Sequence, residues 1–396
     1  MTKTISIIIA IAIISFVIFK SNQFKGALPS ILPPKELPQQ NQLPKEFSQT
    51  VVKNDLGLTL AAGFSIDIFA KDLGNARDLE FSPEGTLLVS TPAQGKILAL
   101  PDKDGDGKSD SLKTVIAGLS RPHGIAFYQG KLFIAEETKV ARYNWDETNL
   151  SISLDKNLFD LPNGGRHFTR TIAFDNSGRM YISIGSTCDV CFEKNEWLAA
   201  VIVSDKDGNS PRLFAKGLRN SVFITVNPKT QDLWGTEMGR DFLGDDLPPD
   251  EINIIEDGKD YGWPICYGNK IHDTQFDKNQ YVRDPCEDTV ASVYNIPAHS
   301  APLGLTFINS SQFPESWQGD LLVAYHGSWN RSTPVGYKVV RVKIEGETSP
   351  SEEDFLSGFL SGSQTIGRPV DLALDKKGSL FISDDKAGLV YRAWRN

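Results

Sequence analysis

The chain has 396 residues, 41 Lys+Arg against 50 Asp+Glu (formal net charge −9), 40% hydrophobic and 23% charged residues, 33 Gly and 22 Pro. That balance is globular and excludes a collagen, a coiled coil or a wholly disordered chain. An acidic chain with no long basic run repels a phosphate backbone, so nucleic acid is not an expected partner.

The first element is an apolar run from Ile5 to Phe19, broken only by Ser6 and Ser15 and flanked by Lys3 and Lys20. As a helix these 15 residues reach roughly 22 Å, short of the ~30 Å hydrocarbon core of a bilayer. Residues 1–20 therefore read as a signal peptide or membrane anchor, with anchoring favoured because no small-x-small cleavage pattern is obvious. No cysteine follows that could be lipidated. Residues 21–54 carry Pro29, Pro33, Pro34, Pro38 and Pro44 among Gln, Lys and Ser, the composition of an extended tether. The remainder is expected outside the cytoplasm, touching the membrane through the N-terminal segment only.

From residue 55 onward six segments repeat one pattern, an apolar stretch, a turn and a second β-rich stretch. They are 77–81 with 85–90, 123–127 with 130–135, 170–174 with 178–183, 222–226 with 232–236, 303–307 with 319–324, and 370–374 with 378–383. The anchors Phe81, Phe127, Phe174, Val226, Phe307 and Leu374 lie 46, 47, 52, 81 and 67 residues apart. The first steps are propeller-blade lengths and the last two imply insertions. The fold class is all-β, a six-bladed β-propeller over 55–396 behind an N-terminal hydrophobic helix and a Pro-rich tether. A sandwich would not need this period.

Propeller geometry puts the first strand of each blade on the central channel, and the residues before it at one mouth. Those residues are Arg77, His123, His167 with Arg170, Arg219 with Asn220, His299 and Arg368. The expectation is a cationic pocket for an anionic ligand, since Arg offers forked, permanently charged donors. Within blade 1, residues 102–113 begin like an EF-hand loop with Asp102, Asp104, Asp106 and Gly107. Position 12 is Lys113, where a bidentate Glu is required, so a hydrated Asp/Gly turn is favoured over a calcium site. Four cysteines follow: Cys188 and Cys191 as C-x-x-C, and Cys266 and Cys286 around a polar loop. Zinc wants four ligands and no second C-x-x-C exists. Two local disulfides, 188–191 and 266–286, are the simpler account outside the cytoplasm, with redox work by Cys188/Cys191 the alternative.

Several stretches resemble the glucose/sorbosone dehydrogenase family, six-bladed propellers that bind pyrroloquinoline quinone (PQQ). They are 165–175 (Gly-Arg-His-Phe-Thr-Arg-Thr-Ile-Ala-Phe-Asp), 217–220 (Gly-Leu-Arg-Asn), 237–240 (Glu-Met-Gly-Arg), 250–255 (Asp-Glu-Ile-Asn-Ile-Ile), 260–264 (Asp-Tyr-Gly-Trp-Pro) and 367–371 (Gly-Arg-Pro-Val-Asp). The stretches 188–191, 299–303 and 326–331 are closer to the sorbosone and pyranose dehydrogenase branch. The resemblance implies an exported oxidoreductase that oxidises an aldose, sorbosone-like or other pyranose sugar with PQQ and calcium. No C-x-x-C-H haem motif is present, since Phe192 follows Cys191, so electrons pass to a separate quinone or cytochrome.

The family's catalytic base falls on His167, whose ordinary pKa of ~6.5 leaves a neutral ring at pH 7. His123 and His299 are pocket lining or structural hydrogen-bonders, and His272 has no assigned role. The cofactor's carboxylates fall to Arg219, Asn220 and Arg368. This sequence departs from the family at Val370, where a second arginine is usual, and lacks the fifth-blade lysine. Arg331 and Arg77 are candidates for the missing charge, with Trp329 as a stacking surface. Calcium falls to the carbonyls of Gly239 and Arg240, oxygen ligands of the kind a hard cation takes. Asp245 and Asp246, or Asp250 and Glu251, either add to a calcium site or form an acidic rim. Two other classes fit a six-bladed propeller, a metal-dependent lactonase or esterase and a non-catalytic surface binding module.

Overall fold

The computed structural model describes residues 52–53, 56–344 and 350–395. The hydrophobic run and most of the tether lie outside the described residues. Val52–Lys53, at the tether's end, pairs with Thr59–Leu60 as an added strand. Among the described residues no helix is long and apolar enough to cross a membrane.

Six sheets form the blades, antiparallel throughout except for one short parallel pairing, Ala215–Lys216 with Lys259–Asp260, at the outer edge of blade 3. Their innermost strands are Leu79–Phe81, Gly124–Tyr128, Arg170–Phe174, Ile224–Val226, Pro302–Phe307 and Pro369–Leu374, which define blades 1 to 6. All six coincide with the first stretches of the sequence repeats. They line a central channel of about 500 Å³. The second strands, such as Leu87–Thr91, Leu321–Tyr325 and Leu380–Asp384, are buried along their whole length. A strand packed between two neighbouring blades has both faces covered, which is why these read as continuous apolar runs. Burial fades outward: the fourth strand of blade 2, Ser151–Asp160, is polar and largely exposed, as an edge strand must be.

The ring closes by exchange between distant parts of the chain. Phe64–Ala70 pairs antiparallel with Leu389–Arg395 and supplies the outer strand of blade 6. Side chains also stitch neighbouring blades together near the channel. Asp371 Oδ2 accepts the Leu79 N–H at 2.8 Å, Asp78 Oδ2 accepts that of Ile125 at 3.2 Å, and Thr236 Oγ1 donates to the Leu303 carbonyl at 2.7 Å. The long steps after blades 4 and 5 contain the hairpins Cys266–Tyr267/Ile271–His272 and Leu360–Ser361/Gln364–Thr365.

Both disulfides form as the spacing suggested, Cys188–Cys191 and Cys266–Cys286, and no free cysteine remains. In the 102–110 loop the Asp102, Asp104 and Asp106 carboxylates gather within reach of one ion, but accept backbone N–H donors of their own turn. That arrangement is what a hydrated Asp/Gly turn requires.

Candidate active site

Strand 2 of a blade ends beside the start of strand 1, because neighbouring strands run antiparallel. One mouth of the channel is therefore built from two loop sets, those entering strand 1 and those leaving strand 2. Sequence periodicity singled out only the first set. His167 precedes Arg170–Phe174, Arg219 and Asn220 precede Ile224–Val226, and His299 precedes Pro302–Phe307. The second set adds Ser186 through Cys191 from blade 3, Gly239 and Asp241 from blade 4, and Trp329 and Asn330 from blade 5.

Over blades 3 to 5 these loops enclose a cavity of about 200 Å³ lined by Arg166, His167, Arg219, Asn220, Trp329 and Asn330, among others. The expected excess of positive charge is largely cancelled here. The buried Arg219 reaches Asp189 Oδ1 at 2.6 Å and the Asp189 carbonyl at 2.8 Å. Arg166 pairs with Asp241 at 2.6 Å and lies over the Trp329 ring, 5.5 Å from its centroid. Asp189 and Asp241 both arrive on loops leaving strand 2, beyond the reach of the repeat pattern. Burial still holds the Asp241 carboxyl up to about 6, although Arg219 pulls the other way.

His167 packs Nδ1 against Ser186 Oγ at 2.9 Å. Burial first, then the charges of Arg219 and Arg166, drop its pKa to about 3, so the ring is neutral at physiological pH. The other histidines are occupied differently. His299 Nε2 lies 2.8 Å from the Gly244 carbonyl and Nδ1 lies 3.2 Å from Asn330 Nδ2, so both ring nitrogens have protein partners. His123 is fully buried against the Phe223 ring, with Thr171 Oγ1 at 3.3 Å. His272 sits in the Cys266–Cys286 loop against Asp277.

Arg170, grouped with His167 by the repeat, plays a different part. Its fully buried guanidinium donates to the carbonyls of Pro162, His167 and Thr169, so it braces the loop that carries His167. Arg331 is also held away from the cavity's lining, by the Asp245 carbonyl and by Asp246 at 2.8 Å. Arg77 and Arg368 belong to the other half of the mouth, over blades 5, 6 and 1. There Arg77 meets Asp385 Oδ2 at 2.9 Å, Asp385 Oδ1 meets His326 Nε2 at 2.9 Å, and Arg368 donates to the Gly327 carbonyl at 2.7 Å and packs over the Tyr337 ring. The residues missed from sequence are thus Arg166, Ser186, Asp189, Asp241, Asn330, His326 and Asp385. Arg166, Asp189, His326 and Asn330 sit inside the family-like stretches 165–175, 188–191 and 326–331, whereas Ser186, Asp241 and Asp385 lie on loops with neither a repeat signal nor a family-like stretch.

The lining offers guanidinium donors and one open acceptor, a mixture that suits a planar ligand bearing both carboxylates and a hydrogen-bond donor. Asn220 Oδ1 is buried without a hydrogen-bond partner while its residue lines the cavity. Gly185 keeps the floor open, since a Cβ there would come 2.5 Å from the His167 Cβ and 2.7 Å from Asn220 Oδ1. Gly239 lines the same wall, and its N–H donates to the buried Asp250 carboxyl at 2.9 Å. Desolvation lifts Asp250 to about 7, a group that a nearby cation would help to ionise. Arg240 contributes to an adjoining cavity of about 20 Å³, its guanidinium bound to Asp273.

Residues 58–395 match the TrAA12-like family. The chain belongs to that family. This family member is 30% identical over 368 residues to an uncharacterised protein of Borreliella burgdorferi, covering 88% of this chain and 94% of that one. It is 26% identical over 409 residues to a pyrroloquinoline quinone-dependent pyranose dehydrogenase of Coprinopsis cinerea, covering 84% of this chain and 54% of that protein. Among solved structures, the calcium structure of Trichoderma reesei family AA12 superposes with a TM-score of 0.74 at 21% identity, over 86% of this chain and 97% of the other. The holo PQQ domain of the Coprinopsis pyranose dehydrogenase gives 0.72 at 21% identity, over 91% and 99%. At that identity the two structures establish the shared propeller.

Proposed function

We propose that this chain is a PQQ- and calcium-dependent dehydrogenase that oxidises a pyranose or related aldose outside the cytoplasm and delivers the electrons to a separate quinone or cytochrome. The observation that carries the reading is a neutral, cavity-lining His167 flanked by Arg166, Arg219 and Asn220 at the channel mouth. Membership of the TrAA12-like family and similarity to a pyranose dehydrogenase support it. The N-terminal apolar run and the two disulfides support export.

When bound, PQQ supplies the two-electron acceptor and calcium a Lewis acid. The protein does the rest. Arg166, Arg219 and Asn220 would bind the cofactor's carboxylates and carbonyls from blades 3 and 4, and Arg368 with Arg77 from blades 6 and 1. The Gly239 and Arg240 carbonyls, with Asp250 behind Gly239, would hold the cation. His167 takes the proton of the substrate hydroxyl as its carbon gives up hydride, a role open to it because the ring is uncharged. Trp329 and the Arg166 stacked on it form the cavity's outer wall, where a sugar ring would rest and water would be thinned out. The test is to load the protein with PQQ and calcium and assay dye reduction across aldoses and pyranoses. No reduction by any sugar, with PQQ bound, would remove the dehydrogenase reading.

A further inference from the structure

Blade 3 joins His167 to a loop that its disulfide closes. Strand 2 of that blade ends at Ile184, and the chain then runs through Ser186 to the Cys188–Cys191 bridge. Ser186 is completely buried, and its hydroxyl donates to the Cys188 carbonyl at 2.6 Å. A serine hydroxyl has one proton and two lone pairs. With the proton committed to Cys188, the oxygen 2.9 Å from His167 Nδ1 can only accept. Nδ1 must then carry the ring's hydrogen. A neutral imidazole has a single N–H, so Nε2 keeps a lone pair. The reverse arrangement, Ser186 donating to Nδ1, would strip the Cys188 carbonyl of this donor.

We propose that Ser186 is a positioning residue: its hydroxyl, aimed by the Cys188 carbonyl inside the disulfide-closed loop, locks His167 as the Nδ1–H tautomer and leaves Nε2 as the proton acceptor. The same loop sets a second part of the site, because Asp189 holds Arg219 through both its carboxylate and its carbonyl. Orientation of the base by a neutral hydroxyl has a chemical consequence. A carboxylate partner would favour imidazolium, whereas a hydroxyl leaves the ring neutral beside two guanidinium groups. The tautomer follows from the geometry alone, while the role of Nε2 rests on the dehydrogenase reading.

The experiment is ¹⁵N NMR of the histidine rings in the full-length apoprotein at neutral pH, with His167 assigned among the five histidines by its loss in His167→Gln. Wild type is expected to show a protonated Nδ1 and an unprotonated Nε2. Ser186→Ala should mix or invert the tautomers, and Ser186→Thr, which restores a hydroxyl, should recover the wild-type pattern. In protein loaded with PQQ and calcium, kcat for sugar oxidation should fall in Ser186→Ala by the fraction of rings left in the wrong tautomer, on the order of 3–10-fold, with KM nearly unchanged. Ser186→Thr should recover it. A wild-type ring carrying its proton on Nε2 overturns the proposal, as does a tautomer ratio that Ser186→Ala leaves unmoved. The expected tautomers together with no sugar oxidation in wild type would overturn the catalytic role of Nε2 and the functional reading, leaving the orientation by Ser186 standing.

Discussion

His167→Gln tests burial, electrostatics and catalysis in one substitution. An unfolded chain protonates this histidine near pH 6.5, whereas the folded ring resists until about 3, because burial and then Arg219 and Arg166 disfavour its charge. Between those values the unfolded state binds a proton that the native state refuses, so native stability is intact above about pH 6.5 and drains away as pH falls. Each pH unit in that window is worth ~1.36 kcal/mol, so at pH 4.5 the wild type loses at most about 3 kcal/mol. The ring's cavity face meets water, which lowers the figure. Glutamine keeps polarity and approximate size but cannot titrate. Urea unfolding of both apoproteins at pH 7.5 and 4.5 should show the variant gaining about 1–3 kcal/mol on wild type at the lower pH, other titrating groups cancelling in the difference. The loaded variant should still bind PQQ, while the rate of its reduction by saturating sugar falls ~10²–10⁴-fold. An equal stability difference at both pH values would refute the buried-ring argument, and a wild-type reduction rate would move the base elsewhere.

Three further outcomes follow from the geometry. Arg368→Ala should weaken PQQ binding by tens-fold or more, the ~2–5 kcal/mol usual for a desolvated charge contact, and an unchanged titration would take Arg368 out of the site. Asp371→Asn probes the ring closure: burial holds this carboxyl up to about 7, so the wild type loses stability as pH rises from about 4 to 7, and the variant should be favoured at pH 8 by at most about 4 kcal/mol but not at pH 4. A loss of stability at both pH values would mean that the bond to Leu79 outweighs the buried charge. Replacing Cys266 and Cys286 together by serine opens a loop with a sequence separation of 20 and should cost about 3 kcal/mol by chemical denaturation, whereas a loss below ~1 kcal/mol would show that packing alone holds that loop.

By itself the sequence carried the architecture. Apolar stretches recurring at blade-length intervals marked the six innermost strands, because each blade repeats the same burial problem and answers it with the same apolar run. The disulfide pairs were legible from short spacing, and His167, Arg219 and Asn220 from their place just before an inner strand. What the sequence could not contain is which loop lies beside which. Ser186, Asp189 and Asp241 leave strand 2 of their blades without any repeat signal, and only the antiparallel return of the sheet brings them to His167, Arg166 and Arg219. Charge was misjudged for the same reason. A list of arginines looks like a cationic pocket until folding sets Asp189, Asp241 and Asp385 against them, and Arg170 reads as a ligand-binding group until its two terminal nitrogens are seen to donate to three backbone carbonyls. Strand identity is a local property of side-chain pattern, whereas the protonation and partners of a buried ring are properties of its neighbours, and those are decided by the tertiary fold.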